Sequence, residues 1–194
     1  YKDVLRTYQN HPGNKKETPI PRIVSKIVDK FELHARVSDR PTGEMAKPAA
    51  SFVVTCKNRL THLQQTIPFL ASQQDCEVIV VDYGCQENTR GWIKTNFPAV
   101  KVVAVDDDPI FSLARARTIG AAFAKGKYLV FTDADIFVKF RIADFLKRTS
   151  SPGEFYTIDP RRDVTLCGSM VVARTDFRNS DGYDEAYRGW GWED

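Results

Sequence analysis

Tyr128-Leu129-Val130-Phe131-Thr132-Asp133-Ala134-Asp135 decides how this chain is read. Its first five residues are apolar or β-branched and follow the turn-like Lys125-Gly126-Lys127. A run this short, with aromatic and β-branched side chains, reads as a buried strand rather than a helix. Two carboxylates one residue apart then stand at its C-terminal end, which is where open α/β sheets bind ligands. Like charges so close repel, so the pair needs a positive partner, most simply a divalent cation held by hard oxygen ligands.

Working outward from that run, strand and helix signals alternate. Ser51 to Thr55 reads as a first strand, and Thr61 to Ser72 as a helix with Leu63, Ile67 and Leu70 on one face. Glu77 to Val81 is a second strand ending at Asp82, Glu87 to Phe97 a second helix, and Val100 to Val105 a third strand. The Ala-rich stretch Phe111 to Lys125 has strong helix propensity. This alternation predicts crossover helices and a largely parallel sheet, an α/β/α sandwich of Rossmann-like type. Beyond the carboxylate pair the rhythm breaks. Phe155 to Asp159 and Val164 to Arg174 read as further strands, and a loop then runs into Gly189-Trp190-Gly191-Trp192-Glu193-Asp194.

On the N-terminal side, Tyr1 to Pro19 is polar and reads as an irregular lead-in. Pro21 suits a first helical turn, and Ile23, Val24, Ile27, Val28 and Phe31 follow at helical spacing to about Arg36. Ser38 to Ala49, with two prolines and a glycine, reads as a linker. The expected organisation is a lead-in over 1–48 and one catalytic-type domain over 49–194.

Composition narrows the classes. The chain has 194 residues, of which 42% are hydrophobic, enough for one substantial core. Its net charge of +3 is too mild to argue for nucleic acid, and no apolar run approaches the roughly 20 residues of a membrane span. Cys56, Cys76, Cys85 and Cys167 show no Cys-x-x-Cys spacing, which argues against a zinc or redox motif. A disulfide between Cys56 and Cys85 stays open, because both follow neighbouring strands. The chain has no Asn-x-Ser/Thr acceptor triplet. We therefore expect a cytoplasmic location, membrane-associated only through segments outside this chain, and a Golgi-lumen setting stays open.

Three strand ends carry polar groups at corresponding places: Thr55-Cys56-Lys57-Asn58-Arg59, Asp82-Tyr83-Gly84, and the Asp pair. An Asp at such an end can accept from a base N–H or a ribose hydroxyl, and Thr55 and Arg59 can meet a nucleotide's polar edges. No glycine interrupts Thr55 to Arg59, so a glycine-rich dinucleotide fingerprint is missing. A nucleotide held through a metal fits better.

In their order, these stretches together with Ala116-Arg117-Thr118-Ile119-Gly120 and the Trp190-Gly191-Trp192-Glu193-Asp194 ending resemble a GT-A glycosyltransferase. The likeness is to family 2 glycosyltransferases and to the chondroitin-polymerase and β-1,4-galactosyltransferase groups, over residues 50 to 194. It implies a metal-dependent hexosyltransferase of polysaccharide-biosynthesis type. The donor would be a UDP-sugar with Mn²⁺ or Mg²⁺, the acceptor a glycan or other hydroxyl, and the anomeric centre would be inverted. By the same resemblance Asp135 would ligate the metal, and Asp133 the metal or the ribose. Asp82 would meet the base with Thr55, Asn58 and Arg59 nearby, and Arg117 would lie near the donor. Asp194 would be the general base, Glu193 its companion, and Trp190 and Trp192 the acceptor wall. Thr118 stands where these relatives carry Asn. A further metal ligand lies beyond the Glu-Asp element in the galactosyltransferases. The resemblance therefore implies a domain truncated after Asp194, or a ligand such as His34 or one from another chain. Two other readings compete: a non-catalytic nucleotide- or glycan-binding module of the same fold, and a phosphatase of haloacid dehalogenase type with Asp133 as nucleophile.

Overall fold

A computed structural model describes residues 5–6, 47–151, 153–158 and 168–186. The stretch expected to form an N-terminal helix, most of the expected linker, His34, residues 164–167 of the strand expected over Val164 to Arg174, and the tryptophan-rich ending with Trp190, Trp192, Glu193 and Asp194 lie outside the described residues.

The expected alternation forms. Strand β2 (Ala50–Cys56) leads to α1 (Leu60–Ala71), β3 (Cys76–Asp82) to α2 (Thr89–Asn96), and β4 (Lys101–Ala104) to α3 (Leu113–Ala122), before β5 (Tyr128–Asp133). These four strands pair in parallel in the order β5-β2-β3-β4. Beyond β5 the sheet turns mixed: β7 (Met170–Ala173) runs antiparallel to β5, and β6 (Phe155–Ile158) antiparallel to β7. A two-residue strand β1 (Leu5–Arg6), in a stretch expected to be irregular, pairs with β6 at the edge.

Both faces of the parallel strands are covered, which is why they are near-continuous apolar runs rather than alternating ones. Phe52, Val54, Val80 and Val130 point to one face, against Leu63 and Ile67 of α1 and Ile93 of α2. Val53, Ile79, Val81, Leu129 and Phe131 point to the other, against Ala116 and Ala121 of α3. The approach of α3 is close: a Cβ on Gly120 would lie 2.4 Å from Val53 Cγ1 and 2.8 Å from Val81 Cγ2. Gly120 is therefore demanded by packing, not by backbone freedom.

Besides β1, two elements depart from expectation. Helix α4 (Ile142–Thr149), which the sequence pattern did not announce, lays Ile142, Phe145 and Leu146 on the first face. Arg174, expected to close a strand, instead opens the short helix α5 (Arg174–Asn179). Phe177 of α5 packs on Phe131, with ring centroids 5.0 Å apart, so the strand gives way to a helix that buries this ring.

The topology sets up one crevice. From β2 the chain steps outward to β3 and β4 on one side, whereas β5 lies on the other side. The strand order therefore reverses between β2 and β5, and ligands in open α/β sheets bind outside the carboxyl ends of strands at such a switch point.

Candidate functional site

Thr55 and Asp133 are register partners at the carboxyl ends of β2 and β5, so both side chains meet at the switch point. Thr55 Oγ1 donates to Asp133 Oδ1 at 2.7 Å. The backbone then turns, with Ile136 N–H donating to the Asp133 carbonyl at 3.2 Å and Thr66 Oγ1 of α1 to the Ala134 carbonyl at 2.7 Å. These bonds pin the peptide between the two carboxylates. Asp135 faces the same crevice, where Arg59 Nη1 lies 3.0 Å from its Oδ2. The cleft holds about 350 Å³, solvent-side space included, and is lined by Thr55, Lys57, Arg59, Phe111 and residues 133–135.

The loop after β2 supplies the cations. Asn58 sits at φ +53°, a conformation asparagine tolerates better than most residues. Its Oδ1 accepts from Gln86 N–H at 2.8 Å, and Glu87 Oε2 accepts from Leu60 N–H at 2.7 Å. The loop is thus laced to the one that follows β3. Lys57 Nζ donates to the Gly84 carbonyl at 3.3 Å and lies 5.8 Å from the centroid of the Tyr83 ring.

Behind the cleft stands Arg117, wholly buried on α3. Its Nη2 donates to the Gly168 carbonyl at 2.6 Å and lies 3.8 Å from Asp133 Oδ1, and its guanidinium carbon lies 5.4 Å from the centroid of the Tyr183 ring. It therefore supports Asp133 from within rather than presenting a surface to the cleft. Asp82 is also buried. Its Oδ1 accepts from Cys85 N–H at 2.8 Å and its Oδ2 from Arg90 Nε at 2.9 Å. Arg90 reaches on to Asp106 after β4, which holds the Asp106 carboxyl below its usual range. Nearby, Tyr83 donates to Asp108, which also accepts from Arg115 at 3.0 Å.

Of the residues singled out in the sequence, Thr55, Arg59, Asp133 and Asp135 come together in one cleft. Asn58 shapes the loop, Asp82 and Arg117 stand behind the surface, and residues 190–194 lie outside the described residues. The Arg90–Asp106 and Arg115–Asp108 pairs were missed. The acidic triplet 106–108 after a predicted strand was the available signal, since consecutive carboxylates at a strand end need cationic partners.

The model of the family described as glycosyl transferase family 2 matches residues 51–166. A validoxylamine A glucosyltransferase of Streptomyces hygroscopicus subsp. limoneus is 29% identical over 109 residues, 54% of this chain and 24% of that protein. Among solved structures, the mannosyltransferase PcManGT from Pyrobaculum calidifontis, in complex with GDP-Man and Mn²⁺, superposes with a TM-score of 0.55 at 19% identity. That match covers 73% of this chain and 49% of the other. S. aureus TarS 1-349 superposes with a TM-score of 0.57 at 16% identity, over 72% of this chain and 51% of the other. TarS 1-349 is also known in complex with UDP-GlcNAc. At these identities the solved structures speak to the fold alone. The chain spans about half the length of these structures and about a quarter of the curated relative.

Proposed function

Because the chain belongs to glycosyl transferase family 2, we propose that it carries the donor-binding part of a metal-dependent glycosyltransferase. The reaction is transfer of a sugar from a nucleoside-diphosphate donor, with uridine the favoured base, to an acceptor hydroxyl. One displacement at the anomeric carbon inverts its configuration. The observation that carries this reading is the meeting of Thr55, Asp133, Asp135 and Arg59 in one cleft at the switch point of the sheet.

The donor set fits a hard divalent cation. Asp133 and Asp135 offer carboxylate oxygens, and among the described residues no cluster of three His, Cys, Asp or Glu side chains forms. Mg²⁺ and similar ions are commonly held by one or two carboxylates, with substrate phosphates and waters completing the shell. Asp135 would hold Mn²⁺ or Mg²⁺, with Asp133 beside it. Bound there, the ion would offset the negative charge that grows on the departing diphosphate.

The chain's own residues prepare that event. The Thr55 hydroxyl and the buried Arg117 fix the orientation of Asp133. Arg59 pairs with Asp135 on the cleft wall and would turn to the diphosphate when the cation takes that carboxylate. Lys57 adds a second positive charge on the same wall. Asp82 and Asn58 organise the loops that flank the base. Following the resemblance, Asp194 would take the acceptor proton with Glu193 beside it, and a positioned base of this kind contributes about 10²–10⁴-fold. Trp190 and Trp192 would give the acceptor sugar its apolar faces.

Calorimetric titration tests the reading. UDP should bind the intact chain in the presence of Mn²⁺ and lose most of that affinity on adding a chelator. Asp135→Ala should abolish the metal-dependent component while thermal unfolding stays nearly unchanged. Undiminished metal-dependent binding by that variant would remove the basis of the proposal.

A further inference from the structure

Cys56 closes β2 and Cys85 lies in the loop after β3, and both are free thiols. Their Sγ atoms stand 3.8 Å apart, with Cys85 Sγ also 3.4 Å from the Cys56 carbonyl. The backbones that carry them are tied together: Cys56 is the register partner of Asp82, and Tyr83 N–H donates to the Cys56 carbonyl at 2.9 Å. We propose that Cys56 and Cys85 are a reversible dithiol–disulfide pair, closed by exchange with a low-molecular-weight disulfide, which couples the redox state of the chain to its nucleotide cleft. The coupling, though not the bond itself, rests on the donor-site reading above.

The two thiols are unequal in the way such a pair requires. Cys56 is almost completely buried, whereas Cys85 is half-buried and reachable from solvent. The Asn58 N–H points at Cys85 Sγ at 3.3 Å. The neighbouring Cys56 thiol, and after it this N–H, hold the Cys85 thiol below its ordinary value. The interaction with Cys85 and then burial push Cys56 the other way. Cys85 is the attacking group because it is the more exposed of the two and its sulfur receives the Asn58 N–H, which favours the thiolate that acts as nucleophile in exchange. Cys76 offers the internal contrast: burial, and then the Asp75 charge, push its thiol up to about 12, which keeps it protonated.

The steps balance without any further reactant. Cys85 thiolate attacks one sulfur of RS–SR, forming a mixed disulfide and releasing RS⁻. Cys56 then gives its proton to solvent and attacks Cys85 Sγ, expelling the second RS⁻. Both protons end on two RSH, so the protein loses two electrons and the small disulfide gains them. Bond formation needs the sulfurs to close from 3.8 Å to about 2.0 Å. The residue that must shift is the one whose Sγ receives the Asn58 N–H and whose own N–H holds Asp82 Oδ1. The base side of the cleft should therefore bind less well when the pair is closed.

The full chain would be equilibrated with oxidised and reduced glutathione over a range of ratios, alkylated, digested and mapped by mass. The expected result is one bond, between the Cys56 and Cys85 peptides, with the loss of two hydrogens, reversed by excess reduced glutathione and absent in Cys85→Ser. UDP–Mn²⁺ affinity should fall at least threefold on closing the pair, and Cys85→Ser should not respond to glutathione. An unreacted pair, a stable glutathione adduct on Cys85, or a bond to another cysteine would overturn the assignment. A mapped bond with equal UDP affinity in both states would overturn the coupling. A mapped bond in a chain that binds no UDP in either state would uphold the pair and bring down the donor-site reading instead.

Discussion

Asp82 and the pair Asp133/Asp135 end strands of the same sheet, yet they occupy opposite electrostatic regimes. Asp82 is 1% exposed and has a donor on each oxygen, from Cys85 N–H and Arg90. The side chains of Asp133 and Asp135 are 33% and 38% exposed, and Arg59, the cation paired with Asp135, is itself on the cleft wall. A buried carboxylate without partners would be intolerable, so the fold supplies them permanently. A half-exposed one can keep a partner that ligand displaces. Position at a strand end therefore does not by itself make a binding group; what matters is whether its partners can leave.

The comparison breaks first at the buried posts. Arg117→Ala should cost about 3–5 kcal/mol, because it leaves a cavity and strands the Gly168 carbonyl, while Asp133 keeps the Thr55 hydroxyl. A chemical denaturation midpoint close to that of the unaltered chain would show that Arg117 is not a structural post. Asp82→Ala should come next, at about 2–3 kcal/mol, since it orphans the Cys85 N–H while Arg90 keeps Asp106. Measured the same way, a loss below about 0.5 kcal/mol would place Asp82 with the exposed pair.

The cleft side should answer differently. Asp135→Ala is expected to shift stability by less than about 1 kcal/mol, because its ion-pair partner among the described residues, Arg59, is solvated. Its loss should register in metal-dependent nucleotide binding instead. The smallest effect sharpens the contrast most. Arg59→Met removes the cation that competes for Asp135, so Mn²⁺ affinity of the nucleotide-free chain should rise about 1.5–5-fold, as a surface pair of about 0.2–1 kcal/mol allows. Paramagnetic titration of free Mn²⁺ reads this without turnover, and a lower affinity in the variant would contradict the competing role. UDP affinity should fall in the same variant.

Much of the fold was legible because its signals are local. The four apolar runs and the helical spacing of Leu63, Ile67 and Leu70 need only a few neighbouring residues to be read. Helix α3 was expected over Phe111 to Lys125 and forms over Leu113–Ala122, where Ser112 Oγ accepts from Arg115 N–H and fixes its start. The failures were contextual. Helix α4 is only eight residues long, and α5 is decided by where Phe177 can bury its ring. The site shows the same division. Asp133 and Asp135 were visible as a pair at a strand end, whereas the burial of Arg117 and the engagement of Asp82 by Arg90 were not.

The sequence by itself determined the α/β rhythm, the carboxylate pair at the end of the decisive run, and the polar residues at the ends of its neighbours. Only the tertiary structure decided that β2 lies between β3 and β5, which brings Thr55 against Asp133 and Arg59 against Asp135 across more than seventy residues of chain. Local periodicity records which residues must be buried, and strand order and partner choice follow from how whole buried faces fit together. That fit is a property of the assembled sheet and of no single segment.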